Sequence, residues 1–337
     1  METLLDAARE LQWKPFRLRQ VHHARETELV SGWDQMTSLP QKDREWLNGH
    51  IPFDCLKVMK SEISEDGTAI KWLLETGDKK RIETVLLIHT APTKKWGTVC
   101  ISSQIGCPMK CAFCATGKMG FFRNLTADEV LDQFLIAKRE AAKQGIVGNL
   151  NVVFMGMGEP LLNLEAVIPA IKVLIDPKRY SLSPTRVTVS TSGILPGLKR
   201  LFDEKLNIGL ALSLHASTHE LRLKLMPANA VYPLDEVMKE IRKWEKKTEV
   251  LYEYILIEGV NDSPKDARDL LKLLKGRNAK INLIPLNPVE GTGFRRPAAR
   301  AMMGFLRLLE EGGLAVTLRH TKGDDIKAAC GQLNARN

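Results

Sequence analysis

Three cysteines fall within one short segment, Cys107-Pro-Met-Lys-Cys-Ala-Phe-Cys114, at the spacing C-x3-C-x2-C. A loop this short can fold so that its sulfurs converge on one point, and thiolates suit zinc or iron–sulfur clusters. Structural zinc sites and electron-carrying [4Fe–4S] clusters take four protein ligands. No fourth ligand lies close in the chain: the nearest Cys is Cys100 and the nearest His is His89. Three thiolates leave one iron of a cluster open to a non-protein ligand, which is the arrangement of a catalytic centre. Three metal-free thiols would leave the spacing without a reason.

A rhythm of strands and helices must hold that loop. A strand is expected from Thr98 to Ser103, just before it, and Thr126-Ala-Asp-Glu129 reads as a capping box opening a helix to about Lys143. Strand–helix units follow, with strands at Val152–Met155, Arg186–Ser190, Gly209–Leu214, Val250–Ile257 and Lys280–Pro285, and a last strand at Leu314–Arg319. Strands alternating with helices give βαβ units and a parallel sheet. Gly97–His320 is shorter than the about 250 residues of an eight-fold barrel. The expected fold is therefore α/β, a partial (β/α)6 barrel with an open side for a large substrate.

In such barrels chemistry sits where strands end, and unusual residues cluster there. Gly156-Met-Gly158-Glu159-Pro160 follows the second strand, Ser190-Thr-Ser-Gly193 ends the third, Ser213-Leu214-His215 ends the fourth, and Asn287 follows the sixth. Glycines let backbone approach a ligand closely. Glu159 suits a ligand's ammonium, and the serines, His215 and Asn287 suit a carboxylate and a ribose. After the last strand, Cys330 stands between Ala329 and Gly331, open to a bulky substrate. Cys100 lies near the same barrel mouth. Two further thiols beside one open cluster suggest a nucleophile and its resolving partner.

Upstream, residues 51–96 read as a β-meander, with strand-like runs ending in Arg81-Ile-Glu-Thr-Val-Leu-Leu-Ile88. Glu83 shares a face there with Val85 and Leu87, a costly place for a carboxylate unless it is paired or functional, so it is a candidate proton acceptor. Residues 1–50 read as a small helical unit, broken at Pro15, with Arg17, Arg19, His23 and Arg25 on a basic side. Residues 321–337 form the loop carrying Cys330. The net charge of +9 favours a polyanionic partner, RNA or DNA first. No apolar stretch of about 18 residues and no signal peptide are present, so a cytoplasmic protein without a membrane partner is expected.

Together these pieces resemble the RlmN family of radical S-adenosylmethionine (SAM) RNA methyltransferases. The likeness rests on Lys14-Pro-Phe-Arg17, Glu83-Thr-Val85, Cys107–Cys114, Arg123-Asn-Leu125, Gly156–Pro160, Ser190–Gly193, Ser213–His215, Ile281–Pro288 and Gly323–Leu333. The sister Cfr group shares the cysteine loop and the Cys330 motif, but Gly158-Glu-Pro160 and Asn282-Leu-Ile-Pro285 look more like RlmN.

The resemblance implies a radical SAM barrel that methylates C2 of an adenine in the peptidyl transferase centre of 23S rRNA and, in some members, of an adenine beside the tRNA anticodon. It implies a [4Fe–4S] cluster on Cys107, Cys111 and Cys114. It implies SAM held by Gly158, Glu159, Ser190, Ser213, Leu214, His215 and Asn287. One SAM methylates Cys330; a second yields a 5′-deoxyadenosyl radical that takes hydrogen from that methyl. Cys100 then forms a transient disulfide with Cys330, and Glu83 accepts a proton. A reductant such as flavodoxin or ferredoxin and a monomeric state are also implied. The alternatives are Cfr-type methylation at C8 and, from another class, a non-catalytic Fe–S RNA-binding module.

Overall fold

The computed structural model describes residues 4–335; residues 1–3 of the N-terminal unit and 336–337 of the terminal loop lie outside the described residues. The chain opens with α1 (Leu4–Glu10), α2 (Pro15–Glu26) and α3 (Gln41–His50), then β1 (Lys57–Ile63), β2 (Ala69–Glu75), β3 (Arg81–Ala91) and β4 (Lys94–Cys100). Around the cysteine loop come β5 (Gln104–Gly106), α4 (Ala115–Lys118) and β6 (Phe121–Asn124). The rest alternates: α5 (Ala127–Lys143), β7 (Leu150–Phe154), α6 (Leu164–Ile175), β8 (Val187–Thr191), α7 (Leu195–Asp203) and β9 (Gly209–Ser213). Next are α8 (His219–Leu225), α9 (Leu234–Glu245), β10 (Val250–Leu256), α10 (Pro264–Leu274), β11 (Ala279–Pro285), α11 (Ala299–Glu311) and β12 (Ala315–Leu318).

One sheet runs β1-β2-β3-β4-β7-β8-β9-β10-β11-β12. Its β4–β12 part is parallel throughout, which is the expected partial barrel. β4 is the joint: it pairs antiparallel with β3 and parallel with β7, so the point between residues 96 and 97 lies inside a strand. β4 also begins and ends earlier than the sequence predicts. It leaves the ladder after Cys100 because Ser102 turns its hydroxyl to the Glu83 carbonyl (2.6 Å) and its N–H to Gln133 (2.8 Å). The expected capping box is present: Thr126 accepts the Glu129 N–H, and the Glu129 carboxylate accepts the Thr126 N–H at 2.9 Å. The main apolar core runs from Leu74 and Leu86 in the meander through Val152, Leu212 and Tyr254 to Leu309, with a smaller cluster of Phe113, Met226, Ile255 and Ile284 beside the cysteine loop.

The N-terminal helices have a separate small core of Val21, Trp33, Met36 and Leu47. They join the barrel through charge. Arg25 pairs with Asp54 (3.2 Å) and with Asp132 on α5 (3.0 Å), and Arg139 pairs with Asp54 (2.5 Å). Arg179 reaches Glu26 at 2.8 Å. The basic side expected on this unit is thus partly internal: Arg25 holds the unit to the barrel, while Arg19 and His23 remain exposed. No helix among the described residues is long and apolar enough to cross a membrane.

Asp132 concentrates this joint. It is 5% exposed and also accepts the N–H groups of Cys55 and Leu56. Removing one partner of a buried pair leaves the other charge uncompensated, so Asp132→Ala should lose about 3 kcal/mol in urea unfolding. A loss below about 1 kcal/mol would show that water screens the joint.

Candidate active site

Backbone hydrogen bonds fix the cysteine loop. Cys107 N–H donates to the Gly120 carbonyl (2.8 Å), Ala112 N–H to Leu225 (2.8 Å) and Cys114 N–H to Cys111 (3.1 Å). A Cβ on Gly117 of α4 would stand 2.9 Å from the Cys111 nitrogen, so glycine lets helix and loop touch. The three thiols line one cavity of about 440 Å³. Burial pushes Cys107 up to about 12 and raises Cys114 and Cys111, the last further raised by its two neighbours. Crowded buried thiolates call for a bound cation. Yet among the described residues no three Cys, His, Asp or Glu side chains gather closely enough for a single metal ion. The three thiols nonetheless share one cavity, as the short loop allows. That donor set fits a cubane cluster, whose irons are ligated singly by thiolates.

The strand-end residues border the same space. A Cβ on Gly156 would lie 2.7 Å from the Ile101 carbonyl, and one on Gly158, at φ +99, 2.6 Å from Gln104. This close approach turns Glu159 inward. Its carboxylate accepts the Ser192 N–H and hydroxyl (2.8 Å each) and the Leu161 N–H (3.1 Å). Burial raises the Glu159 pKa, and those donors oppose the rise. The Ser190 and Ser213 hydroxyls stand 3.4 Å apart across the ends of β8 and β9. His215, at φ +57, accepts the Ile255 N–H on Nδ1 (3.2 Å), which leaves its proton on Nε2. Burial, with Arg222 nearby, pushes its pKa down to about 3, so the ring is neutral. Leu214 lies in the core and contributes only backbone: its N–H meets the Glu253 carbonyl at 3.0 Å.

Cys100 and Cys330 line this cavity too. Burial pushes the Cys100 thiol up to about 12, with Cys330 adding to the rise and Arg319 opposing it. Asn287 fastens the Cys330 loop, donating to the Cys330 carbonyl (3.0 Å) and accepting from Arg296 (2.9 Å) and Thr321 (3.2 Å). The loop runs from β12 back across the barrel's gap to the meander. Lys322 donates to the Ile88 carbonyl (2.6 Å), Asp325 accepts the Glu65 N–H (2.8 Å) and Glu83 accepts the Asn334 N–H (2.6 Å). The loop thus bridges the barrel's gap and supplies one wall of the cavity. Val85 and Leu87 line the cavity, as their alternation implies, but Glu83 sits just beyond it, buried and paired with Lys71 at 3.2 Å.

Sequence reasoning missed Arg222. It is 1% exposed and donates to the carbonyls of Ser213 (3.2 Å), Leu214 (3.3 Å) and Ser192, holding two strand ends together. Burial lowers its pKa to about 10, while Cys111 and Glu159 favour its charge. The available signal was a cation between Leu221 and Leu225 in an otherwise apolar helix stripe. Glu253, which lines the cavity and accepts from Asn282 at 2.8 Å, was also missed.

A parallel partial barrel with three cluster-spaced cysteines at its mouth defines a radical SAM enzyme, and residues 101–273 match the Radical SAM superfamily model. The chain is 44% identical over 336 residues to the probable dual-specificity RNA methyltransferase RlmN of Moorella thermoacetica, covering 98% of this chain and 94% of that one. It is 44% identical over 332 residues to the dual-specificity RNA methyltransferase RlmN of Marinobacter nauticus, covering 96% and 88%. The crystal structure of a radical SAM methyltransferase from Sphaerobacter thermophilus superposes with a TM-score of 0.93 at 40% identity, over 99% of this chain and 97% of that one. The chain belongs to the RlmN family of radical SAM RNA methyltransferases. Its cofactors are accordingly a [4Fe–4S] cluster and SAM.

Neutral His215 ties stability to pH. Its folded pKa of about 3 lies below the unfolded value of about 6.5, so between them the unfolded chain binds the extra proton. This contribution is complete above about pH 6.5 and is lost as pH falls, by up to about 1.4 kcal/mol per unit. Urea unfolding of the cofactor-free protein from about pH 7 to about pH 4.5 should show a shallower decline in His215→Gln. Equal slopes would mean that His215 protonates normally.

Proposed function

We propose that this enzyme methylates C2 of an adenine in the peptidyl transferase centre of 23S rRNA, and C2 of an adenine beside the tRNA anticodon, through a methyl carried on Cys330. The observation that carries the reading is that Cys100 and Cys330 line the same cavity as Cys107, Cys111 and Cys114. C2 of adenine is not nucleophilic, so direct displacement of a methyl from SAM cannot reach it, whereas a carbon radical can add there. Cys107, Cys111 and Cys114 would hold the cluster, and Gly158, Glu159, Ser190, Ser213, His215 and Asn287, which line the cavity, would surround SAM, with Leu214 behind them in the core. Bound there, the cluster and SAM supply a methyl group and a means of removing a hydrogen atom from an unactivated carbon.

This chain's residues do the rest. The Cys330 sulfur bears the one-carbon unit and presents it to the base. Addition of the carbon radical leaves one unpaired electron on the base; that electron would return to the cluster that supplied it, while Glu83 accepts the proton lost from C2, for which its carboxylate must release the Asn334 N–H and Lys71. Cys100 attacks the Cys330 sulfur: the S–S bond forms as the S–C bond breaks, and the electron pair stays with carbon, which gains a proton. An external reductant, flavodoxin or ferredoxin by chemical class, reopens the disulfide and feeds the cluster. The enzyme works as a cytoplasmic monomer.

Mass spectrometry of RNA treated with the reconstituted enzyme should place the new methyl on C2; a methyl on C8 would overturn the assignment. Cys100→Ala should trap a covalent protein–RNA species, visible as a shifted band on denaturing gels. The band should vanish in the Cys100→Ala, Cys330→Ala double variant. Normal turnover by Cys100→Ala would remove it from the resolving role.

A further inference from the structure

The pairing of β3 with β4 sets up a second feature at the cavity. Partners in register are Val85 with Cys100, Leu87 with Thr98, His89 with Trp96 and Ala91 with Lys94. Residues two apart in a strand share a face. Cys100, Thr98, Trp96 and Lys94 therefore form one row, about 20 Å long at about 3.3 Å per residue, leading outward from the resolving thiol. His89 lines the cavity, and its ring stacks on Trp96 at 5.1 Å with an interplanar angle of 14°. The Lys94 ammonium lies over the Trp96 ring, 5.8 Å from its centre. On the other flank the Lys322 ammonium stands 3.4 Å from His89 Nδ1.

We propose that Trp96 and His89 are a stacking platform for an unpaired nucleotide next to the target adenine, with Lys94 meeting its phosphate. The proposal rests on the reading above, that an RNA base enters this cavity. Flat rings beside basic side chains are the chemistry that holds single-stranded RNA. A cross-strand aromatic pair that only stabilised the sheet would need no cations around it, and one of its rings, His89, lines the cavity. A base arriving over the indole replaces the Lys94 ammonium there and leaves that charge free for the adjoining phosphate. Burial, with Lys322 and Arg319 nearby, pushes His89 down to about 4, so its ring stacks uncharged at neutral pH. The net charge of +9 favours a polyanion such as RNA.

The test uses the reconstituted enzyme and a stem-loop from the 23S rRNA peptidyl transferase centre, with fluorescent 2-aminopurine on either side of the target adenine. One flanking position should be quenched on binding to the wild-type enzyme. Quenching should be lost in Trp96→Leu and kept in Trp96→Phe. The KM for RNA should rise about five- to a hundredfold in Trp96→Leu, from the loss of one stacked base. Lys94→Ala alters only an exposed side chain, and it should lower the slope of log affinity against log salt by about 0.7. Methylation without quenching at either flank, or an unchanged KM in Trp96→Leu, would overturn the platform and leave the reaction intact. Quenching without any methylated adenine would overturn the reaction and leave the platform. If Trp96→Leu binds RNA normally but loses reduction by flavodoxin, the face docks a protein and the proposal falls.

Discussion

A six-unit barrel cannot close on itself, and the gap between its first and last strands is the constraint on which this structure turns. β4 and β12 are too far around the sheet to pair, so each edge needs another partner. β4 receives β3 and the meander. The β12 side is met by the loop that follows it, which crosses the gap and ties to the same meander through Lys322, Asp325 and the Asn334 backbone. Gap closure and cavity formation are one event. The crossing loop carries Cys330, and β4 carries Cys100, so the two thiols come to line one cavity because the barrel is incomplete.

Buried polar groups give that closure its precision. Glu83 accepts from the Asn334 backbone and pairs with Lys71. Asn287 uses both ends of its amide on the Cys330 loop and its supports. Arg222 gathers three carbonyls from two strand ends. Each would be costly in an apolar interior without these partners. Each also has only one arrangement that satisfies it, so the site is fixed by hydrogen-bond geometry as much as by packing. The neutral, single-tautomer His215 follows the same rule.

Much of this was legible in the chain. The cysteine spacing, the seven parallel strands and the Thr126 capping box depend on local pattern, and local pattern survives without tertiary information. What escaped depends on distant partners. Glu83 is separated from Asn334 by most of the chain, so alternation could place it on the cavity face but could not say that a backbone N–H would claim its carboxylate. α8 went unread because Arg222 interrupts its apolar stripe, and only Ser192, Ser213 and Leu214 explain a cation there. β4 ran differently from its expected span because Ser102 bonds to Gln133 and to the Glu83 carbonyl, neither of which the strand's own residues reveal.

The position of β4 between two differently oriented neighbours bears on how this chain can vary through time. Its register is fixed twice, antiparallel against β3 and parallel against β7. A substitution within Lys94–Cys100 changes one contact. Loss or gain of a single residue there would turn every later side chain to the opposite face, carrying Cys100 out of the cavity while the strand still paired on both sides. Descent with insertions and deletions is therefore open to the turns of the meander and closed to this strand, whose length is as much a part of the chemistry as its cysteine.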